Sequence, residues 1–284
     1  MLWKEFIRLN NIFLFYIGIS TYPTIGLNDF TSWAKNCNFI DDKWVNMAAC
    51  DRILITTNVA IHGKISNAER DLNRYEFLEL IVRMANALYK ESRVCQTTPD
   101  AVKKLLEVNI YPNSKNVDGE KFRRFNCYNV KVNELLKKNE PVLKKVYESY
   151  THAKKKYILF SECKEYIVKT ELPISQLMVG VIFSESMQTL IDTISDQQRP
   201  AQMKFVEFLV FLCRIAYENF QGTPYETEHM YLKLEKCIPN FLLPLQLTPM
   251  FLFYEDFEYK PPKRKVKARK PIVALKKETS SGAQ

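Results

Sequence analysis

A chain of 284 residues with 46% hydrophobic residues, 18 Phe and 15 Tyr has material for one large core or two smaller ones. Its 7 glycines include no GxGxxG, GxxxxGK(S/T) or GxSxG, so no glycine-rich turn can cradle a phosphate or present a nucleophile. That argues against nucleotide-binding and hydrolase classes. The net charge of +9 is uneven: residues 260–284 carry nine Lys or Arg against Glu278, a net +8, and leave a body near +1.

In chain order, Leu2, Phe6, Leu9, Phe13 and Tyr16 recur at three- and four-residue steps and predict an amphipathic helix ending at Gly18. This N-terminal stretch is read as a folded helix and not a signal peptide, because Asn10 and Asn11 split its apolar run and no small-x-small site follows. A second helix is expected from about Asp29, and a further apolar run spans Trp44 to Ile55. After the polar stretch HGKISNAERD comes NRYEFLELIVRMANALY, Asn73 to Tyr89. TPDAVKKLLEVNI predicts a helix with Thr98 at the N-cap and Pro99 at the first position. KFRRFNCYNVKVNELLKKN resumes helical spacing.

Helices are then expected over Val142–Tyr150, Cys163–Lys169 and Val179–Ile194. MKFVEFLVFLCRIAYENF, Met203 to Phe220, repeats the earlier Glu-Phe-Leu and Arg-x-Ala elements. Ile25 and Ile158 stand 133 residues apart, and Asp71 and Gln202 stand 131 apart, each within matching local patterns. Two separate registers kept this closely indicate an internal duplication. In the repeated helices, Phe77, Ile81, Ala85, Phe208, Leu212 and Ala216 share a core-facing spacing. Arg83 and Arg214 occupy equivalent places, and the sequence leaves open whether each pairs with an acid or faces solvent.

Beyond Phe220, Pro224, Pro239, Pro244 and Pro249 forbid one long helix, so 223–259 is expected to pack over the second half as short helices and extended chain. Residues 260–284 have the composition of a disordered tail. The 7 cysteines are odd in number, lack CxxC spacing and read as buried reduced thiols of an intracellular protein, not as a metal or redox site. His62, His152 and His229 show no ligand spacing. No apolar run is long enough to span a membrane.

Each repeated loop reads as an aliphatic residue, three residues, an acid, then an apolar residue. This resembles the EF-hand, whose 12-residue loop ends on an acidic ligand. The resemblance implies an all-α chain of two EF-hand-like lobes. An N-terminal pair of hands occupies 1–92 and a C-terminal pair 141–222. A helical linker over 93–140 joins them, followed by the Pro-rich segment 223–259 and the basic tail 260–284. Calcium needs oxygen at loop positions 1, 3, 5, 7, 9 and 12, with glycine at 6.

The first loop offers Gly18, Ser20, Tyr22, Thr24, Gly26 and Asp29, with Pro23 at the turn. The third offers Thr151, Ala153, Lys155, Tyr157, Leu159 and Glu162, so a lysine stands at a ligand position. The fourth offers Asp196, Gln198, Pro200, Gln202, Lys204 and Glu207. The second keeps the most oxygen, in Asn67, Glu69, Asp71, Asn73 and Glu76, but Ile65 takes its first position. The four hands are therefore expected to be degenerate and calcium-free, the second being the weak candidate if any binds. Glu76 and Glu207 then act as carboxylates at helix N-termini, worth about 0.3–1 kcal/mol.

A closer likeness rests on NRYEFLELIVRMA, FRRFNCYNVKVNELLKK, KVYESY and SESMQTLID. Together they resemble a group of EF-hand-like proteins of cilia and flagella whose calcium loops have often decayed. The resemblance implies a non-catalytic structural or adaptor role in the cytoskeleton of the axoneme, with partners among microtubules or dynein-associated complexes, and no membrane. On that reading Lys260, Lys263, Arg264, Lys265, Lys267, Arg269 and Lys270 contact an acidic surface such as tubulin. A calcium-sensing regulatory subunit is an alternative. A third reading takes PPKRKVKARK as a nuclear-import or nucleic-acid segment; the absence of interleaved aromatics in the tail disfavours it. No catalytic residues are assigned: no nucleophile–base pair, metal cluster or phosphate loop is present in the sequence.

Overall fold

A computed structural model describes residues 2–41, 43–58, 71–151, 155–190, 192–193, 196 and 198–245. The fold is mostly helical, with a few two-residue strands. The first half holds helices α1 (Leu2–Gly18), α2 (Leu27–Asn36), α3 (Met47–Thr57) and α4 (Arg74–Ala85). Helix α4 continues as a π-helical segment, Asn86–Lys90. Helix α5 (Thr98–Lys104) likewise runs on through Leu105–Ile110 in π geometry, and the short α6 (Tyr111–Asn113) follows.

The second half starts with the short α7 (Gly119–Phe122), extended in π geometry over Arg123–Cys127. Then come α8 (Val130–Tyr150), α9 (Phe160–Lys169), α10 (Gln176–Ser186), α11 (Phe205–Asn219) and α12 (Met230–Leu242). Two antiparallel ladders tie loops together. In one, β1 (Ile25–Gly26) meets β2 (Asp71–Leu72); in the other, β3 (Ile158–Leu159) meets β4 (Gln202–Met203).

Local chemistry sets most helix starts. Asn73 accepts from Glu76 N while Glu76 accepts from Asn73 N, a reciprocal cap on α4. Asn46, Asn129 and Ser175 cap α3, α8 and α10 through their side-chain oxygens. The expected Thr98 cap moves by one residue: Thr97 caps α5, and Pro99 lies in its first turn.

Three other expectations change. The helix expected over Val142–Tyr150 begins at Val130 and runs through Pro141 as one 21-residue element, because its apolar side packs along its length. The helix expected over Val179–Ile194 stops at Ser186. Arg123 takes the carbonyls of Glu185, Ser186 and Met187, and Gln188 N turns to Glu207, so no further turn forms. In the Pro-rich segment, α12 passes through Pro239 as a 13-residue helix, then gives way to a 3₁₀ turn at Leu243–Leu245.

Two apolar cores form. The first gathers α1 to α5, from Leu9 to Ile110; the second gathers α8 to α12, from Cys127 to Leu242. Phe77, Ile81, Ala85, Phe208, Leu212 and Ala216 are all buried in them, as the helical period predicts. The 93–140 stretch is mostly helical, broken at 114–118 and 128–129, and is shared out. Ala101, Val102, Leu105, Leu106 and Ile110 enter the first core, and Cys127 and Val132 the second. Helix α12 packs on the second half through Leu234, Cys237, Ile238 and Phe241. Six of the cysteines are buried, Cys95 is partly exposed, and all are free thiols.

The two halves meet where α1 crosses α10, backbone against backbone. A Cβ added at Gly180 would lie 2.0 Å from Gly18 O, and one added at Gly18 would lie 2.6 Å from Val181 Cα. Ser184 Oγ donates to Leu14 O at 2.7 Å. Tyr22 wedges between the cores, its ring against Phe160 and Phe183 and its hydroxyl donating to Pro200 O. Among the described residues, no helix is long and apolar enough to cross a membrane.

Candidate functional site

The ladders bring together the aliphatic residues of the four repeated loops: Ile25 faces Leu72, and Ile158 faces Met203. Four residues after each comes an acid in the first turn of a helix: Asp29, Glu76, Glu162 and Glu207. In an EF-hand the acid at this place holds the cation, so the partners of these four carboxylates bear on that resemblance.

In the first loop Asp29 accepts from Ser20 Oγ at 2.6 Å, and Ser20 Oγ in turn accepts from Gly26 N at 2.9 Å. In the second, Glu76 and Asn73 cap α4, while Asp71 accepts from Thr24 Oγ1 at 2.9 Å across the ladder. Asn67 and Glu69, the other candidates there, lie outside the described residues. In the third loop, Lys155 Nζ reaches Glu162 Oε1 at 3.1 Å, and Leu159 N donates to the other oxygen at 2.7 Å. The lysine noted at a ligand position therefore lies against the acid that would have held the ion.

The fourth loop is the most enclosed. Arg199 Nη2 reaches Glu207 Oε1 at 2.6 Å and Nη1 donates to Gln202 O at 2.7 Å. Arg199 N donates to Asp196 Oδ1 at 3.1 Å. Glu207 also accepts from Gln188 N and Lys204 N, both at 2.8 Å. The guanidinium thus bridges the side chain at the loop's last position and the carbonyl at its seventh, two of the oxygens a calcium loop would use. Oxygens that accept from a fixed guanidinium do not suit a calcium ion, which would meet the arginine's charge at contact distance. Sequence reasoning missed Arg199, since it stands in a proline-containing loop with no periodicity to mark it.

A second charged cluster lies beside this loop. Arg214 Nη1 pairs with Glu185 Oε2 at 2.6 Å, both side chains buried, while Nη2 donates to Gly119 O at 3.2 Å. The Arg214 guanidinium sits 4.2 Å over the Phe122 ring. Arg123 closes the end of α10. Burial pushes the Glu185 carboxyl up to about 7 despite Arg214 and Arg123 nearby. FRRFN, SESMQ and the second copy's Arg-x-Ala, far apart in the chain, all converge here. Arg83, the equivalent of Arg214, instead makes a surface pair with Glu79 on its own helix.

Between the start of α8 and α11 runs an open groove of about 510 Å³, lined by Cys127, Tyr128, Val130, Leu136, Val206 and Cys213 among others. Tyr128, Val130 and Val206 in its lining stand exposed. Of the histidines, His229 precedes α12 at the surface, and His62 and His152 lie outside the described residues. So do Lys260, Lys263, Arg264, Lys265, Lys267, Arg269 and Lys270. The chain matches no protein-family model, no curated protein and no solved structure.

Proposed function

We propose that the protein is a non-catalytic structural adaptor built on two EF-hand-like lobes whose loops are closed by the protein's own side chains instead of calcium. The observation that carries this reading is the Arg199 guanidinium held between Glu207 and Gln202 O. The aliphatic pairs Ile25–Leu72 and Ile158–Met203, each followed four residues on by an acid, support the EF-hand-like assignment. Lobes closed in this way are permanently formed surfaces, suited to holding partners in a fixed geometry and not to answering an ion.

The partners that fit are other proteins of a large assembly. In the axoneme of a cilium or flagellum these would be microtubules or dynein-associated complexes, with the basic tail against the acidic surface of tubulin. Two measurements on the full chain test the two halves of this reading. Calorimetric titration with calcium is expected to give no saturable heat; micromolar binding of defined stoichiometry would instead favour a calcium-sensing regulatory subunit. Microtubule co-sedimentation is expected to weaken with added salt and to drop in a chain ending at Tyr259. Equal pelleting of the two chains would remove the tail from the interaction, and nuclear accumulation of a tagged chain would favour the nucleic-acid reading.

A further inference from the structure

The groove between the start of α8 and α11 is lined mostly by apolar side chains, with Tyr128, Val130 and Leu136 on one wall and Val206, Leu209 and Val210 on the other. Tyr128, Val130 and Val206 are exposed, and neighbouring large apolar side chains left open in this way mark a binding surface. We propose that the groove is the docking site of the chain's own residues 250–259, bound in cis. These residues belong to the Pro-rich segment and lie outside the described residues. The fit does not depend on the loops being EF-hand-like.

The place where the described chain ends brings this segment within reach. Tyr231, in the first turn of α12, lies under Lys131 in the first turn of α8. Near the other end of α12, Phe241 O accepts from Tyr166 Oη, and the Tyr166 ring packs on Tyr150, the last residue of α8. The two helices therefore run in the same direction, and the turn Leu243–Leu245 that follows α12 contacts α8 and α9. Val206 marks the nearer end of the groove, because its neighbour Phe205 packs on Tyr147. The helix from Leu136 to Tyr150 is about 21 Å long. The extended chain from Leu245 to Phe251 covers about 20 Å. The residues beyond can therefore enter the groove, at the high local concentration of a tethered ligand.

The chemistry of the segment matches the groove. Residues 250–259 read MFLFYEDFEY: Phe251, Phe253, Tyr254 and Phe257 can fill an apolar slot, and Glu255, Asp256 and Glu258 supply negative charge with no base among them. The groove has the complementary sign at its edges. Exposed Lys137 shares a face of α8 with Val130 and Asn133 of the lining, and exposed Lys204 stands two residues before Val206. Aromatic anchors in an apolar slot, with acids against lysines at its rim, set both the hold and the register of such a ligand. Bound there, the segment covers the exposed side chains and holds the start of the basic stretch, at Lys260, against the second half.

The test is photocrosslinking of the full chain with p-benzoyl-phenylalanine in place of Val206, an exposed position outside both cores. Isotopically light and heavy chains are mixed and the peptides read by mass spectrometry, so that links within a chain and between chains differ in mass. The expected product is a light–light or heavy–heavy link from position 206 to 250–259. Phe253→Ser combined with Phe257→Ser should lower its yield about tenfold. Hydroxyl-radical footprinting with Val206 in place gives a second reading: Tyr128 should be oxidised several times faster in the doubly substituted chain than in the unsubstituted one. The proposal is overturned if position 206 makes no link to 250–259, or if light–heavy links dominate, which would make the face a contact between two copies. Substitutions that change neither the yield nor Tyr128 oxidation would overturn it as well.

Discussion

Arg199 and Glu207 form an ion pair of 2.6 Å with side chains only 9% and 1% exposed, eight residues apart in one loop. The carboxylate is the residue the EF-hand pattern would reserve for a metal, and here a guanidinium from the same loop meets it. Two backbone N–H groups complete its coordination, so the charge is both paired and hydrogen-bonded.

Removing the arginine alone leaves that buried charge uncompensated. Arg199→Ala is expected to cost about 3–5 kcal/mol in urea denaturation followed by circular dichroism. Glu207→Gln in the same background should recover part of the loss, because the unpaired charge is gone while an acceptor for the backbone remains. A single Arg199→Ala variant within about 0.5 kcal/mol of the parent would show that the pair has no structural role.

The repeated arginines should behave as differently as their surroundings. Arg83 and Glu79 are 44% and 43% exposed, and Arg83→Ala should shift stability by no more than about 0.5 kcal/mol. Arg214→Ala removes the partner of buried Glu185, the donor to Gly119 O and the cation over Phe122, and should lose about 3–5 kcal/mol. Similar losses at both sites in chemical denaturation would contradict this asymmetry.

Glu185 should impose a pH dependence of its own. Its folded value of about 7 lies above its ordinary 4.5, so across that interval the native state holds a proton that the unfolded chain has released. Stability is therefore full below about 4.5, falls as pH rises through the interval, and levels off above about 7. The decline amounts to about 3 kcal/mol. Glu185→Gln should flatten this part of the curve in denaturation midpoints taken across the range, and an unchanged slope would assign it to another group.

The crossing of α1 and α10 gives a steric prediction. Gly180→Ala would set a methyl 2.0 Å from Gly18 O, so the helices must separate, at about 1–3 kcal/mol or more. Gly222→Ala is the control: its φ of +67° disfavours a side chain but nothing lies within 4 Å, so it should lose only about 1 kcal/mol. Thermal melts and small-angle scattering should show the first substitution loosening the contact between the halves and the second leaving it intact.

Much of the helical framework was legible in the residues alone. A 3.6-residue period places Phe77, Ile81 and Ala85, and their counterparts Phe208, Leu212 and Ala216, on one face, and burial follows from hydrophobicity without knowledge of the partner. Lys155 could be set against Glu162 by counting, since both belong to one short loop. Helix ends were less legible: Val179–Ile194 keeps apolar residues at helical spacing, and Arg123 and Glu207, brought from other segments, end α10 at Ser186.

The rest needed the tertiary structure, because it depends on which segments meet. Arg83 and Arg214 stand at equivalent places in the repeated helices, yet only Arg214 has Glu185 brought over it by α10. Gly18 and Gly180 are ordinary glycines until two helices 162 residues apart cross at them. Periodicity tells which face of a helix is buried; it carries no information about what lies opposite, and electrostatics and steric fit are properties of that opposition.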